Sequence, residues 1–208
     1  LERYGMTETN MLTSNPYAGA RRAGTVGMAL PGVEVRVTGP DGAEVAPGEA
    51  GAIEVRGPNV FQGYWRMPEQ TAKEFRPGGW FVTGDMGAFD SQGYLSILGR
   101  AKDLVITGGL NVYPAEVEAA LDDLPGVAAS AVIGLPHPDF GEAVVACLVP
   151  AAGAVLDEAA VRAALRDRLA AFKIPKRVLV MAEFPRNAMG KVQKAELRKT
   201  HAGLFSAS

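Results

Sequence analysis

Five short strings in the 208-residue chain carry side chains able to do chemistry. Tyr4-Gly5-Met6-Thr7-Glu8 presents a hydroxyl and a carboxylate from one loop, with Gly5 permitting a tight turn after a strand. Gly79 to Asp85 reads as a strand ending in a Gly-Asp turn at Thr83-Gly84-Asp85. Gly99-Arg100-Ala101-Lys102-Asp103 gathers two cations and an acid between apolar segments, and Gly108-Gly109 ends the short strand Leu104-Val105-Ile106. Gly190-Lys191 sets an ammonium on a glycine turn. These groups suit positioning and charge neutralisation, yet each string taken alone is equally an ordinary turn or hairpin. Lys191 is not in a P-loop, because no Ser or Thr follows it and the upstream glycine is missing. Cys147, inside an apolar run, reads as a buried small hydrophobe, and His137, between Pro136 and Pro138, as a loop imidazole.

The elements that must hold these strings change character near Lys102. From Gly24 to Arg100 the period is two: Val33, Val35 and Val37 alternate with Glu34 and Arg36, and Ile53 and Val55 alternate with Glu54 and Arg56. Pro68 to Phe75 allows one or two helical turns. Beyond Pro114 the period is 3.6, with Val117, Ala120, Leu121 and Leu124 on one face of a helix. Val127 to Leu135, Ala143 to Val149 and Val178 to Met181 read as strands. Asp157 can cap a second helix that turns Val161, Ala164, Leu165 and Leu169 inward before Pro175. Lys194 is expected as an exposed helix residue.

Apolar residues make up 48% of the chain, enough to bury a core. A net charge of −2 with acids and bases interspersed gives no footprint for nucleic acid or anionic membrane. No apolar run approaches the ~20 residues that span a bilayer. A soluble protein of a reducing cytoplasm is expected, with a single cysteine that can form no disulfide within the chain. The start at Leu1-Glu2-Arg3, with neither Met nor signal peptide, reads as the C-terminal part of something larger.

Gly-Arg-x-Lys-Asp followed by Ile-x-x-Gly-Gly-x-Asn-Val-Tyr-Pro-x-Glu-Val-Glu resembles the hinge motif of the adenylate-forming superfamily, which includes acyl-CoA synthetases, luciferases and peptide-synthetase adenylation domains. Tyr-Gly-Met-Thr-Glu, Thr-Gly-Asp and Pro-Arg-Asn-x-Met-Gly-Lys resemble three further motifs of that family, in its order. The resemblance implies an α+β chain. Residues 1–101 would be the β-rich, barrel-like end of a larger N-terminal adenylation domain. Residues 102–208 would be a small mobile C-terminal α+β domain, with a central sheet of about three strands and flanking helices, pivoting at Lys102. It also implies site roles. Thr7 would contact the α-phosphate region and Glu8 hold Mg²⁺, with Tyr4 and Gly5 in the same nucleotide-binding loop. Asp85 would accept both ribose hydroxyls of ATP, and Arg100 would reach the nucleotide from the far side. Lys191 would act on the carboxylate and α-phosphate during adenylation, and Gly108-Gly109 would leave room for the pantetheine arm of coenzyme A.

The implied reaction joins a small carboxylic acid to ATP and then to CoA. The run Glu2 to Met11 with Thr13-Ser14-Asn15-Pro16, and Pro185 to Lys194, look most like malonyl-CoA synthetases, which often take methylmalonate too. Arg3 is the only nearby cation for a second carboxylate, with the cation that meets it expected upstream, and Met6 and Met11 either border a small acid pocket or belong to the core. A fatty or aryl acyl-CoA synthetase is the nearer alternative. A non-catalytic module that binds nucleotide or a partner is the more distant one. Lys191 also resembles the lysine that protein acetyltransferases modify in related synthetases, so a lysine acetyltransferase is an expected partner.

Overall fold

Period-two sequence in the first hundred residues becomes two antiparallel sheets. The computed structural model describes residues 1–206, and the chain divides into two compact units, Leu1–Lys102 and the part from Asp103 onward. In the first unit, β1 (Arg3–Met6), β2 (Asn10–Ser14) and β3 (Met28–Ala29) make the smaller sheet. The larger one contains β4 (Glu34–Thr38), β5 (Gly51–Arg56), β6 (Phe75–Arg76), β7 (Trp80–Phe89) and β8 (Leu95–Arg100). β5 follows one edge of β7, while β6 and β8 take opposite ends of the strand, at Trp80–Phe81 and at Asp85–Phe89. The short helix α1 (Pro68–Glu74) has proline in its first turn, where a missing N–H costs nothing. Leu12, Ile53, Val55, Phe81 and Leu95 form the shared core.

One departure from simple alternation lies on β5. Glu54 lies on the face opposite Ile53 and Val55, yet is only 2% exposed. Arg36 donates to its Oε2 through Nε and Nη2 at 2.9 and 2.7 Å, and Thr38 donates to Oε1 at 3.2 Å. The guanidinium groups of Arg36 and Arg56 lie over Trp80, 4.2 and 4.6 Å from its ring centroid. Long cationic stems and an aromatic face thus roof a sheet surface that alternation alone would leave to water.

The second unit is one mixed sheet covered on both faces. It runs through β9 (Val105–Thr107), β10 (Leu110–Val112), α2 (Pro114–Asp122), β11 (Val127–His137), β12 (Gly141–Pro150), α3 (Glu158–Ala164), β13 (Arg177–Val180) and α4 (Lys194–Thr200). β11 pairs antiparallel along β12; the other edge of β12 receives β13 in parallel at Val145–Leu148 and β9 at Gly141. Val117 and Leu121 of α2 and Val161 of α3 cover Val132, Val144 and Leu148. Leu197 of α4, together with Phe184 from the segment after β13, covers Ala131, Ile133, Leu135, Val145 and Cys147 on the other face. Burial on both faces explains why these strands read as unbroken apolar runs. Burial also pushes the Cys147 thiol up to about 11, in keeping with an inert core residue.

Several expectations need correction. The sheet has five strands rather than about three, because the hairpin after Asp103 joins it. β11 continues through Pro136 to His137, whose ring packs against Phe140 and Phe205 instead of lying in a loop. The second helix keeps its Asp157 cap, which accepts from the Ala160 N–H at 2.8 Å, but closes at Ala164, and Leu165 is buried beyond it. Among the described residues no helix is long and apolar enough to cross a membrane. Leu148, fully buried between the two helices and the sheet, gives a direct test of this core. Leu148→Ala should cost about 2–5 kcal/mol, read as a lowered urea midpoint with unchanged slope.

Candidate functional site

Asp85 is placed by an irregularity in β7. Ala52 pairs with Met86 and Glu54 with Val82, so Thr83, Gly84 and Asp85 all stand opposite the single residue Ile53. Thr83 closes this bulge, its hydroxyl donating to the Ile53 carbonyl at 2.9 Å and accepting from the Asp85 N–H at 3.1 Å. The Gly-Asp turn expected at the strand's end is therefore a mid-strand bulge, a device that re-aims a side chain without ending the strand. Arg100 is the cross-strand partner of Asp85 on β8, and its Nε lies 2.9 Å from Oδ1. From β1, the Tyr4 hydroxyl donates to Oδ2 at 2.5 Å. Asp85 is 7% exposed. Oδ2 accepts one hydrogen bond and Oδ1 is ion-paired, and both keep lone-pair capacity, so the carboxylate can still receive a pair of hydroxyls. Arg100 stands beside Asp85 on the neighbouring strand. Burial first, then the hydrogen bond and charge of Asp85, push the Tyr4 phenol well above its ordinary value.

Thr7 and Glu8 occupy the turn between β1 and β2. Gly5 is inside β1, where the strand is irregular, and not in that turn. It is required there because a Cβ would sit 2.1 Å from the Asn10 carbonyl oxygen. The turn is pinned from outside by a segment with no obvious chemistry in its sequence. Phe61 N–H donates to the Glu8 carbonyl at 2.8 Å, the Asn59 amide to the Thr9 carbonyl at 2.7 Å, and the Tyr64 hydroxyl to Glu8 Oε1 at 3.2 Å. Glu8 is half-buried, Thr7 is exposed, and Oε2 of Glu8 has no protein donor among the described residues. No three His, Cys, Asp or Glu gather into a closed cage among the described residues. A single hard carboxylate fits Mg²⁺, which takes its other ligands from phosphates and water. Tyr64 and Asn59 were missed in the sequence because a lone tyrosine after glycine and a loop asparagine carry no motif.

In the second unit, Gly108 and Gly109 are the two central residues of the β9–β10 hairpin, with φ of 57° and 78°. Positive φ at both positions is the demand of a tight primed turn, and glycine meets it without strain. Gly108 N–H also donates to the Phe140 carbonyl at 2.9 Å, and a Cβ on Gly109 would meet open space. Lys102 is exposed in the 3₁₀ turn Ala101–Asp103. Lys191 is exposed at the end of a turn built around Asn187, whose Oδ1 accepts from the N–H of Met189 at 3.0 Å and of Lys191 at 2.9 Å. Arg186 donates to the Gly190 carbonyl at 2.7 Å. The Lys191 ammonium has no acid partner among the described residues. Lys194 is helical as expected but not exposed: it pairs with Glu118 at 2.6 Å, and both side chains are 20% exposed.

Two family models match the chain, the AMP-binding enzyme over residues 1–65 and the AMP-binding enzyme C-terminal domain over residues 116–191. With the motif order and the two units carrying them, the chain belongs to the AMP-binding, adenylate-forming enzymes. ATP-bound MatB from Rhodopseudomonas palustris is similar at 59% identity and a TM-score of 0.92, over 99% of this chain and 41% of that one. Indoleacetate–CoA ligase of Aromatoleum aromaticum is 44% identical over 198 residues, 94% of this chain and 39% of its own. Malonate–CoA ligase of Arabidopsis thaliana is 43% identical over 213 residues, 96% of this chain and 34% of its own. The chain thus spans two fifths or less of the length of these two curated relatives.

The Tyr4–Asp85 contact predicts a pH dependence with a definite sign. A phenol pKa raised by folding gives stability that is complete below the ordinary value of about 10 and is lost as pH rises through the folded value. Tyr4→Phe should cost about 1–3 kcal/mol near neutrality by leaving Asp85 one donor short, and should flatten the alkaline decline. Urea unfolding between about pH 8 and 12 measures both effects.

Proposed function

We propose that these residues belong to an acid–CoA ligase that forms an acyl-adenylate and then an acyl-CoA thioester. The observation that carries the reading is the Asp85 cluster, a buried carboxylate prearranged by Tyr4 and Arg100, in a chain whose second unit presents Lys191 on an exposed, acid-free turn. In the first half-reaction a carboxylate oxygen attacks the α-phosphorus of ATP and pyrophosphate leaves. In the second, the CoA thiol attacks the acyl carbonyl, its proton is lost, and AMP leaves. Asp85 would accept the ribose hydroxyls, with Tyr4 and Arg100 holding its carboxylate in place. Thr7 would contact the α-phosphate region, Glu8 would offer its free oxygen to Mg²⁺, and Gly5 would keep that loop close to β2. Bound Mg²⁺ would neutralise phosphate charge. The ammonium of Lys191 would stabilise the charge that develops as the carboxylate attacks.

A lysine placed for the first half-reaction obstructs the second. We therefore assign Lys102 as the pivot and the Gly108-Gly109 turn as the passage for pantetheine, since element-end residues absorb large backbone changes and this turn projects no side chain. In the full-length protein, Lys191→Ala should lower adenylation by about 10²–10³-fold and spare thioester formation from supplied acyl-adenylate. Lys102→Pro or Gly109→Leu should do the reverse. Equal loss in both half-reactions for all three variants would refute the division of labour.

Malonate, with methylmalonate as a second substrate, is the acid we favour. Support comes from the string Glu2 to Pro16 and from the similarity to a malonate–CoA ligase; Arg3, exposed on β1, is the nearby cation, and the one that meets the second carboxylate is expected upstream. Met6 packs on the apolar core, which favours its reading as core over pocket lining. An aryl acid is the second reading, because the indoleacetate ligase is as similar. Carboxylate-dependent exchange of pyrophosphate into ATP, run on the full-length protein with malonate, methylmalonate, acetate, octanoate, benzoate and indoleacetate, separates them. Exchange confined to the two dicarboxylates is expected. A preference for benzoate or indoleacetate would transfer the assignment to the aryl ligases, and nucleotide binding with no exchange for any acid would point to a non-catalytic module.

A further inference from the structure

Lys191 sits on an exposed turn that the Arg186–Val192 bridge closes and that follows the buried Phe184, so its position depends on that bridge and also on what anchors the segment behind it. That segment is α4, which begins at Lys194. Leu197 supplies its apolar contact with the sheet. An apolar contact resists separation but fixes register poorly, and two ion pairs supply what it lacks. Lys194 and Arg198, spaced i and i+4 and so on one face of the helix, meet acids contributed by the opening segment of the unit. Lys194 pairs with Glu118 of α2, whose Oε1 also accepts from the Val132 N–H of β11 at 2.7 Å. Arg198 donates to Asp103 at 2.5 Å, and the two side chains are 28% and 16% exposed. Partly buried pairs are screened by salt much less than exposed ones. Asp103 closes the 3₁₀ turn that contains Lys102 and is the first residue of the second unit.

We infer that Arg198, with Lys194, is a positioning residue that ties the Lys191-bearing segment to the residue immediately after the pivot. Rotation at Lys102 is then delivered to Lys191 through one side-chain contact from Asp103 to α4, and not only through the length of the sheet. The pair also marks the far boundary of the pivot, since Asp103 is held by its own unit. The Gly108-Gly109 turn does not need this strut. Thr107 pairs with Gly141, and Gly108 N–H bonds to Phe140, so the hairpin keeps its place when α4 loosens. The inference rests on the reading of Lys191 as the adenylation lysine.

The test compares Arg198→Ala, Arg198→Lys and Lys191→Ala in the full-length protein, measuring pyrophosphate exchange and thioester formation from supplied acyl-adenylate. Misplacement of a reacting group by about 1 Å costs up to 10²-fold. Arg198→Ala should therefore lower exchange by about 10–100-fold while leaving thioester formation close to wild type, which also shows that the variant is folded. Arg198→Lys should recover most of the exchange. Unchanged exchange in Arg198→Ala, or equal loss in both half-reactions, overturns the inference. Retained exchange in Lys191→Ala overturns the parent reading instead, and the inference falls with it.

Discussion

The hold of Tyr4 and Arg100 on the Asp85 carboxylate constrains most of the first unit. A carboxylate that is 7% exposed needs donor groups in place of the water it has lost. Those donors come from different sheets, Tyr4 from β1 and Arg100 from β8, so both sheets must be registered before the site exists. The bulge opposite Ile53 turns Asp85 toward them, and the buried Glu54 with its Arg36 and Trp80 roof stiffens the strand pair that carries the bulge. Charge pairs on one face of the sheet thus serve a charge pair at its end.

The second unit solves a different problem. Its chemistry-bearing residues, the glycine turn and Lys191, are exposed and lie at the margins of a sheet whose strength is in β11 and β12. Backbone pairing fixes the first through β9. The second lies between the buried Phe184 and a short helix, and the ion pairs of Lys194 and Arg198 give that helix a definite seat. Precision at an exposed margin is here a matter of side-chain pairs, since the apolar contact of Leu197 alone tolerates sliding.

Much of this architecture was legible in the sequence, and the failures have physical causes. Alternation at Val33–Val37 and the 3.6 period after Pro114 located strands and helix correctly. The same logic exposed Glu54, because period two reports which face a residue takes and not what covers that face. Val105 to Val112 is too short and too glycine-rich to announce its place in the central sheet, which is decided by Gly141 and Phe140 far along the chain. The strings around Asp85, Glu8 and Lys191 were visible as motifs. Their supports were not: Tyr64, Asn59, Asn187 and Arg198 act through contacts that span from a few residues to 95. Composition carries no trace of such pairings.

The covering of the second sheet on both faces has a consequence for synthesis. β11 and β12 zip as neighbours joined by a short connection, so they can pair as soon as both have left the ribosome. Phe184 and Leu197, which roof Ala131, Ile133, Leu135, Val145 and Cys147, are made later. In that interval a nascent chain displays an uncharged, apolar surface, the kind that recruits other strands or a chaperone. The helix that seats Lys191 is thus also the lid that ends the unit's most aggregation-prone moment.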